Sequence, residues 1–352
     1  MVSPPKATPN RQEMPESLTF TRPDDFHVHL RQGEVAGLFA QDALKAGFAR
    51  VLVMPNTLPP IDSAPALIDY RSRIEAAAPG LKALMTFKIR PGLNASNLVA
   101  LKNAGAVAGK LYPEGVTTNS EDGVRRLEDA WPVFSVMEEL GLVLCLHGEH
   151  PEAFSLDREA VFVKQLASLR SAFPRLKIVL EHVSSVEGLE AVLADGPLTA
   201  ATLTVHHLLF TLDDMVGGKL DPHLFCKPLL KRPEDRKRLV EAALSGDPKF
   251  FFGSDSAPHS QETKEAALCS AGCYTMPVAL SLLIGLFESH SALNRLEAFV
   301  GRHGARFYGL GNNAQTVTFV KEPWTVPNLY HGVVPLKAGE VIPWSLKNPQ
   351  GV

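Results

Sequence analysis

Pro23-Asp24-Asp25-Phe26-His27-Val28-His29-Leu30-Arg31 is the stretch on which the reading of this chain turns. It ends an apolar run, Leu18 to Leu30, that the pattern predicts to be a first β-strand. Side chains alternate along a strand, so His27 and His29 share one face and project together from its end. Two α/β architectures compete at that point. A doubly wound sheet requires a glycine-rich phosphate turn after its first strand. A β/α barrel gathers its reactive side chains where strands end and loops begin. His27-Val28-His29 stands where the glycines would be, which selects the barrel.

Outward from this stretch, short β-branched or apolar runs alternate with amphipathic segments. Further strands are expected at Arg50 to Met54, Lys82 to Ile89, Ala106 to Leu111, Leu142 to Leu146, Lys177 to Leu180, Ala200 to Val205 and Phe250 to Gly253, enough to close a TIM-type (β/α)8 barrel. Helices are expected at Glu34 to Ala46, Ala64 to Ala77, Ser120 to Leu140, Glu159 to Ala172 and Pro233 to Leu244, with a last helical region from Tyr274 to Phe287. Asn94-Ala95-Ser96 reads as a helix start and not as a glycosylation acceptor. Ala314 to Val352 is Pro-rich and reads as irregular. Residues 1 to 17 read as a flexible N-terminal extension without signal-peptide character, and 18 to 352 as a single domain.

Composition narrows the partners. The chain has 352 residues, 45% hydrophobic and 21% charged, with a formal net charge of -3. That balance argues against nucleic acid and membrane surfaces, both of which call for a clustered basic face, and favours a small-molecule ligand. Cys145, Cys226, Cys269 and Cys273 show neither paired zinc-ribbon spacing nor disulfide-scaffold density, as fits a cytoplasmic protein.

The expected strand ends carry metal-binding residue types. His27 and His29 end the first strand, Lys110 the fourth, His147 the fifth, His182 the sixth and Asp255 the eighth. A lone His or Asp in such a place is more often structural, but recurrence at successive strand ends points to a metal centre. Lys110 is the oddity, since a protonated amine repels cations and cannot coordinate them. Either it is an ordinary lysine reaching the rim or an anionic ligand, or it is neutral and modified, because a desolvated amine reacts with carbon dioxide to give a carbamate. Spacing leaves both open. His206 and His207 read as supporting or packing residues.

Read together, Asp25-Phe26-His27-Val28-His29-Leu30-Arg31, Met54-Pro55-Asn56-Thr57, Gly109-Lys110-Leu111-Tyr112-Pro113, Leu146-His147-Gly148-Glu149, Glu181-His182, Cys226-Lys227-Pro228 and Ser254-Asp255-Ser256-Ala257-Pro258-His259 resemble the short, bacterial-type dihydroorotases of the amidohydrolase superfamily. The resemblance implies a zinc-dependent cyclic amide hydrolase interconverting N-carbamoyl-L-aspartate and dihydroorotate in pyrimidine biosynthesis. It implies two Zn2+ per subunit, one held by His27, His29 and Asp255, the other by His147 and His182, bridged by carboxylated Lys110 and a hydroxide. It makes Asp255 the catalytic proton carrier, and Arg31, Asn56, His259 and the backbone near Leu230 and Ala271 the substrate contacts. Thr117 and Thr118 would belong to a mobile loop that closes over the ligand, and the family is usually a homodimer. The rivals are a hydantoinase or allantoinase, whose neutral ring would not justify Arg31, and an inactive scaffold homologue, which should have lost ligands.

Overall fold

The computed structural model describes residues 16–347; most of the N-terminal extension, residues 1 to 15, lies outside the described residues. A short strand, β1 (Ser17–Thr21), precedes eight others: β2 (Asp24–Val28), β3 (Arg50–Val53), β4 (Lys82–Ile89), β5 (Ala106–Leu111), β6 (Val143–His147), β7 (Ile178–Glu181), β8 (Thr199–Leu203) and β9 (Phe250–Phe252). These eight pair in parallel in chain order, each joined to the next through helical crossovers. The seam between first and last is held by a Val28–Ser256 bridge, by Asp255 N–H donating to His27 O (2.9 Å) and by His29 N–H donating to Ser256 O (3.0 Å). The barrel therefore closes through the residues expected to carry its chemistry.

The expected first strand is in fact two. Pro23 has no N–H to continue a ladder, and the chain divides around it: β2 enters the barrel, while β1 pairs antiparallel with β10 (Thr316–Val320). That partner lies in the segment expected to be irregular, which also supplies β11 (Trp324–Thr325), β12 (Val341–Ile342) and β13 (Ser345–Leu346). Three helices also differ from expectation. The last helical region is helical only from Ala279, and a 3-10 turn at Val163–Gln165 divides Glu159 to Ala172. Helix does not begin at Ser120: a 3-10 turn spans Leu127–Ala130 and an α-helix Trp131–Leu140. Before them the chain folds back on the end of β5, with Val124 N–H donating to Tyr112 O (2.9 Å) and Gly115 N–H to Ser120 O (2.9 Å), so its backbone groups are already partnered. Asn94 is a true N-cap, its Oδ1 accepting from Asn97 N–H at 3.1 Å.

Alternation along the strands sorts the core into two parts. Leu52, Leu84, Ala108, Val143, Cys145, Val179, Ala200 and Phe251 fill the barrel interior. Their neighbours Val51, Val53, Ala83, Met85, Leu144, Ile178, Leu180, Ala201, Phe250 and Phe252 face the helices. At the N-terminal end of the barrel the interior is plugged by Phe26, stacked on Tyr308 at 5.2 Å and edge-on to Phe251 at 5.3 Å. No helix among the described residues is long and apolar enough to cross a membrane.

Candidate metal centre

The alternation that fills the barrel also aims its polar residues. Continued two positions at a time, Leu52 and Met54 lead to Asn56, Ala108 to Lys110, Val143 and Cys145 to His147, Val179 to Glu181, and Phe251 and Gly253 to Asp255. Two side chains depart from this parity. On β2 a register shift between Asp25 and Val28 turns His27 inward together with Phe26. His182 follows the inward Glu181 directly, and its φ of 42° swings its ring back to the mouth. Arg31 and Asp255 share that left-handed conformation, at φ 64° and 45°. Non-glycine residues seldom adopt it, and its concentration here means the surrounding packing enforces site geometry against local preference.

Hydrogen bonds on the far side of three of the four rings, His182 being the exception, decide which nitrogen faces the cavity. His27 Nδ1–H donates to Glu181 Oε2 (2.8 Å), His29 Nδ1–H to Asn56 Oδ1 (2.8 Å) and His147 Nε2–H to Glu149 Oε2 (2.7 Å). The Nε2 lone pairs of His27 and His29 then lie 3.3 Å apart, with Asp255 Oδ1 at 3.3 and 3.1 Å from them. Three lone pairs aimed at one point repel unless something positive lies between them. His182 joins the group, its ring 5.0 Å from that of His27 and 4.7 Å from that of His147, centroid to centroid.

Burial and charge act together on these groups. Burial pushes the Asp255 carboxyl up, but His27, His29 and His182 outweigh it and hold the group well below the usual carboxylate range. Burial disfavours the imidazolium of His27, yet the Glu181 and Asp255 carboxylates raise its pKa. Burial brings His29 down to about 4 and, with Lys110 nearby, takes His182 well below its ordinary value. Lys110 is fully buried, its Nζ has no hydrogen-bond partner, and desolvation lowers its pKa. A neutral amine among imidazoles is the form open to carbamate formation, and a carbamate would bring two oxygen donors to the centre.

The wall beyond the metal-ligand types is made by Arg31, Asn56, Tyr112, Thr117, Thr118, Lys227, Ala257, Ala271 and Gly272. Arg31 is anchored by Nε–H donating to Pro258 O (2.7 Å). His259 Nε2 lies 2.8 Å from Arg31 Nη2 and 3.0 Å from Ala271 O, so it either accepts from the first or donates to the second. Burial, reinforced by Arg31, lowers His259 to about 3. Asn56 is committed twice, accepting from His29 and donating through Nδ2 to Thr118 O at 3.1 Å. Asn119 Nδ2 donates to Asn56 O (2.8 Å), so the 113–126 loop is docked with both threonines on the cavity wall.

Of the residues expected from the sequence, Leu230 does not reach this wall. It is fully buried in the outer core, and Lys227 of the same segment stands at the cavity instead. Glu181, Glu149 and Glu159 were missed as supports. Glu159 accepts from the backbone N–H groups of Ser184 (3.0 Å) and Ser185 (2.8 Å), fixing the turn that follows His182. Parity along β7 would have found Glu181; nothing in the sequence ties Glu159 to a turn 25 residues away. His207 is a packing residue as expected, bonded to Thr204 Oγ1 (2.8 Å) and Pro228 O (3.1 Å).

No protein-family model matches the chain. A dihydroorotase of Marinobacter nauticus is 44% identical over 343 residues, covering 95% of this chain and 100% of that one. The crystal structure of a dihydroorotase from Campylobacter jejuni superposes with a TM-score of 0.87 at 37% identity, covering 94% of this chain and 98% of that one. The crystal structure of dihydroorotase from Saccharomyces cerevisiae in complex with 5-fluoroorotic acid gives a TM-score of 0.90 at 34% identity, with the same coverage of 94% and 98%.

Proposed function

The chain belongs to the dihydroorotase family, and from that premise we propose that it interconverts dihydroorotate and N-carbamoyl-L-aspartate in pyrimidine biosynthesis with a pair of zinc ions at the barrel mouth. The convergence of the His27, His29 and Asp255 lone pairs on one point carries this reading. His27, His29 and Asp255 would hold one ion, His147 and His182 the other, and Lys110, as its carbamate, would bridge them. The fit is good for oxygen- and nitrogen-binding cations of this class, and carbamate formation would give the unpartnered Lys110 Nζ a chemical role.

When bound, the ions supply Lewis acidity toward the ring amide and bring the pKa of bound water down to about 7. The protein's own part is proton transfer, orientation and water exclusion. Asp255, held ionised, takes the proton of the attacking water and delivers it to the ring nitrogen as its bond to carbon breaks. In the reverse direction it receives the nitrogen's proton as the ring closes. Arg31 presents a guanidinium fork to the substrate carboxylate, and neutral His259 and the backbone at Ala271 complete the cradle. Asn56 serves it indirectly, by fixing His29 and the loop, while Thr117 and Thr118 lie over the ligand and limit water entry. The yeast relative's complex with 5-fluoroorotic acid, a pyrimidine ring bearing a carboxylate, supports a ligand of this class.

The same reading takes residues 18–352 as one domain, supported by the pairing of β1 with β10, and adopts the family's homodimer and a cytoplasmic location. A hydantoinase or allantoinase would share the metals but not the need for a carboxylate cradle, and an inactive scaffold would not retain the full set of donors. Assay of the zinc-loaded protein should give a kcat/KM for dihydroorotate at least about 10⁴-fold above those for hydantoin and allantoin. Arg31→Met should raise KM for dihydroorotate about 10- to 100-fold. Preferential turnover of the neutral rings would overturn the assignment.

A further inference from the structure

A second cluster of donor side chains lies behind the cavity wall, built from elements the proposed reaction does not use. His206 lies in the first turn of the short helix Val205–Leu209 after β8, Cys226 precedes Lys227, and Cys273 follows Gly272. All three are buried, at 0%, 1% and 1% exposure, and one ligand atom from each lies within 4.8 Å of the others. Both ring nitrogens of His206 are buried without any partner, in contrast to the fully bonded His207 beside it. A buried imidazole offering lone pair and N–H to nothing is costly, and the groups facing it are two thiols.

We propose that His206, Cys226 and Cys273 form a separate binding site for a thiophilic cation, Zn2+ or Cu+, distinct from the centre at the barrel mouth. Two thiolates and one imidazole are a soft donor set, which selects these ions over the hard cations that carboxylates prefer. Binding releases a proton from each thiol, ends the hydrogen bond that the Cys226 thiol donates to Pro228 O (3.1 Å), and gives one His206 nitrogen a partner. A Cys226–Cys273 disulfide would use the same sulfurs but leave both His206 nitrogens unpartnered, so the cation accounts for more of the geometry. Of the two ammonium groups nearby, Lys227 and Lys264, the second is already engaged: Lys264 Nζ donates to the carbonyls of Phe225 (2.9 Å), Ser270 (3.0 Å) and Gly272 (2.8 Å). Its charge offsets that of one of the two thiolates.

The consequence is structural. Cys226 adjoins Lys227, Cys273 adjoins Gly272, and Cys273 is bridged to Ser256 next to Asp255. An ion at this point would tie two segments that wall the cavity to the short helix that carries His206.

The test uses the full chain, stripped of metal under reducing conditions and reloaded with Zn2+, Co2+ or Cu+. The catalytic donors contain no sulfur, and Cys145 and Cys269 are unchanged in the Cys226→Ser and Cys273→Ser variants, so a thiolate-to-cobalt charge-transfer band that both variants lose reports this cluster, whatever becomes of the dihydroorotase reading. The expected result is that band in the wild type, its loss in Cys226→Ser and in Cys273→Ser, and one more metal equivalent per wild-type chain than per variant by mass spectrometry. The Zn2+ and Cu+ loadings identify which ion the site retains against a chelator. Absence of the band together with no extra equivalent of either ion in the wild type would overturn the proposal, and this outcome requires no variant to fold. A Cys226–Cys273 disulfide recovered in place of the extra equivalent would overturn it equally.

Discussion

At the scale of single residues, the candidate centre is governed less by its donors than by what stands behind them. Each imidazole has two usable nitrogens, and in three of the four the inward one is chosen by the partner of the other: Glu181 for His27, Asn56 for His29, Glu149 for His147. Glu181→Ala should therefore weaken metal affinity about 10- to 100-fold without removing a ligand, as read by chelator competition. His259 makes a second residue-scale case. Its folded pKa lies near 3 against about 6.5 in an unfolded chain. Between those values the unfolded state binds a proton that the folded state refuses, so this residue's contribution to stability is lost as pH falls from 6.5 toward 3. His259→Asn should flatten the pH dependence of stability over that window by at most about 1.4 kcal/mol per pH unit, measured by urea unfolding, and should raise KM for dihydroorotate with a smaller effect on kcat.

At the scale of elements, the barrel depends on close approaches that only particular side chains permit. The helix His303–Phe307 lies across the N-terminal end of the barrel, and a Cβ at Gly304 would collide with the Phe26 ring. Phe26 is fully buried between Phe251 and Tyr308 and has nowhere to retreat. Gly→Ala within a helix ordinarily stabilises by up to about 1 kcal/mol. Here overpacking should reverse the sign, and Gly304→Ala should cost about 1 to 3 kcal/mol in chemical denaturation. The 113–126 loop illustrates the other side of element behaviour. Its periodicity suits a helix from Ser120, but the ends of β3 and β5 offered its backbone and Asn119 better partners. Local propensity gave way to tertiary hydrogen bonding.

At the scale of the whole molecule, metal binding and barrel closure are linked, because the seam between β2 and β9 runs through His27, His29 and Asp255. An ion that binds only the closed barrel stabilises it by mass action, by about 2.7 kcal/mol at one hundred times its Kd. Chelation should abolish activity and lower Tm together, and added Zn2+ should restore both; a loss of activity with Tm unchanged would separate the centre from closure. Much of this architecture was legible in the chain. Strand alternation and its spacing gave the eight barrel strands within a residue or two of their ends, apart from the break at Pro23. It also aimed Asn56, Lys110, His147 and Asp255, because a period of two is imposed by the backbone on any strand. What the chain could not reveal was whatever depended on breaking that period or on partners distant in sequence. The bulge that lets Phe26 face inward beside His27, the left-handed turn at His182, the choice of Lys227 over Leu230 at the wall, and the grip of Glu159 on Ser184 and Ser185 are of this kind. Local sequence fixes the direction in which a strand points its side chains; only closure of the barrel brings together the groups that can overrule it.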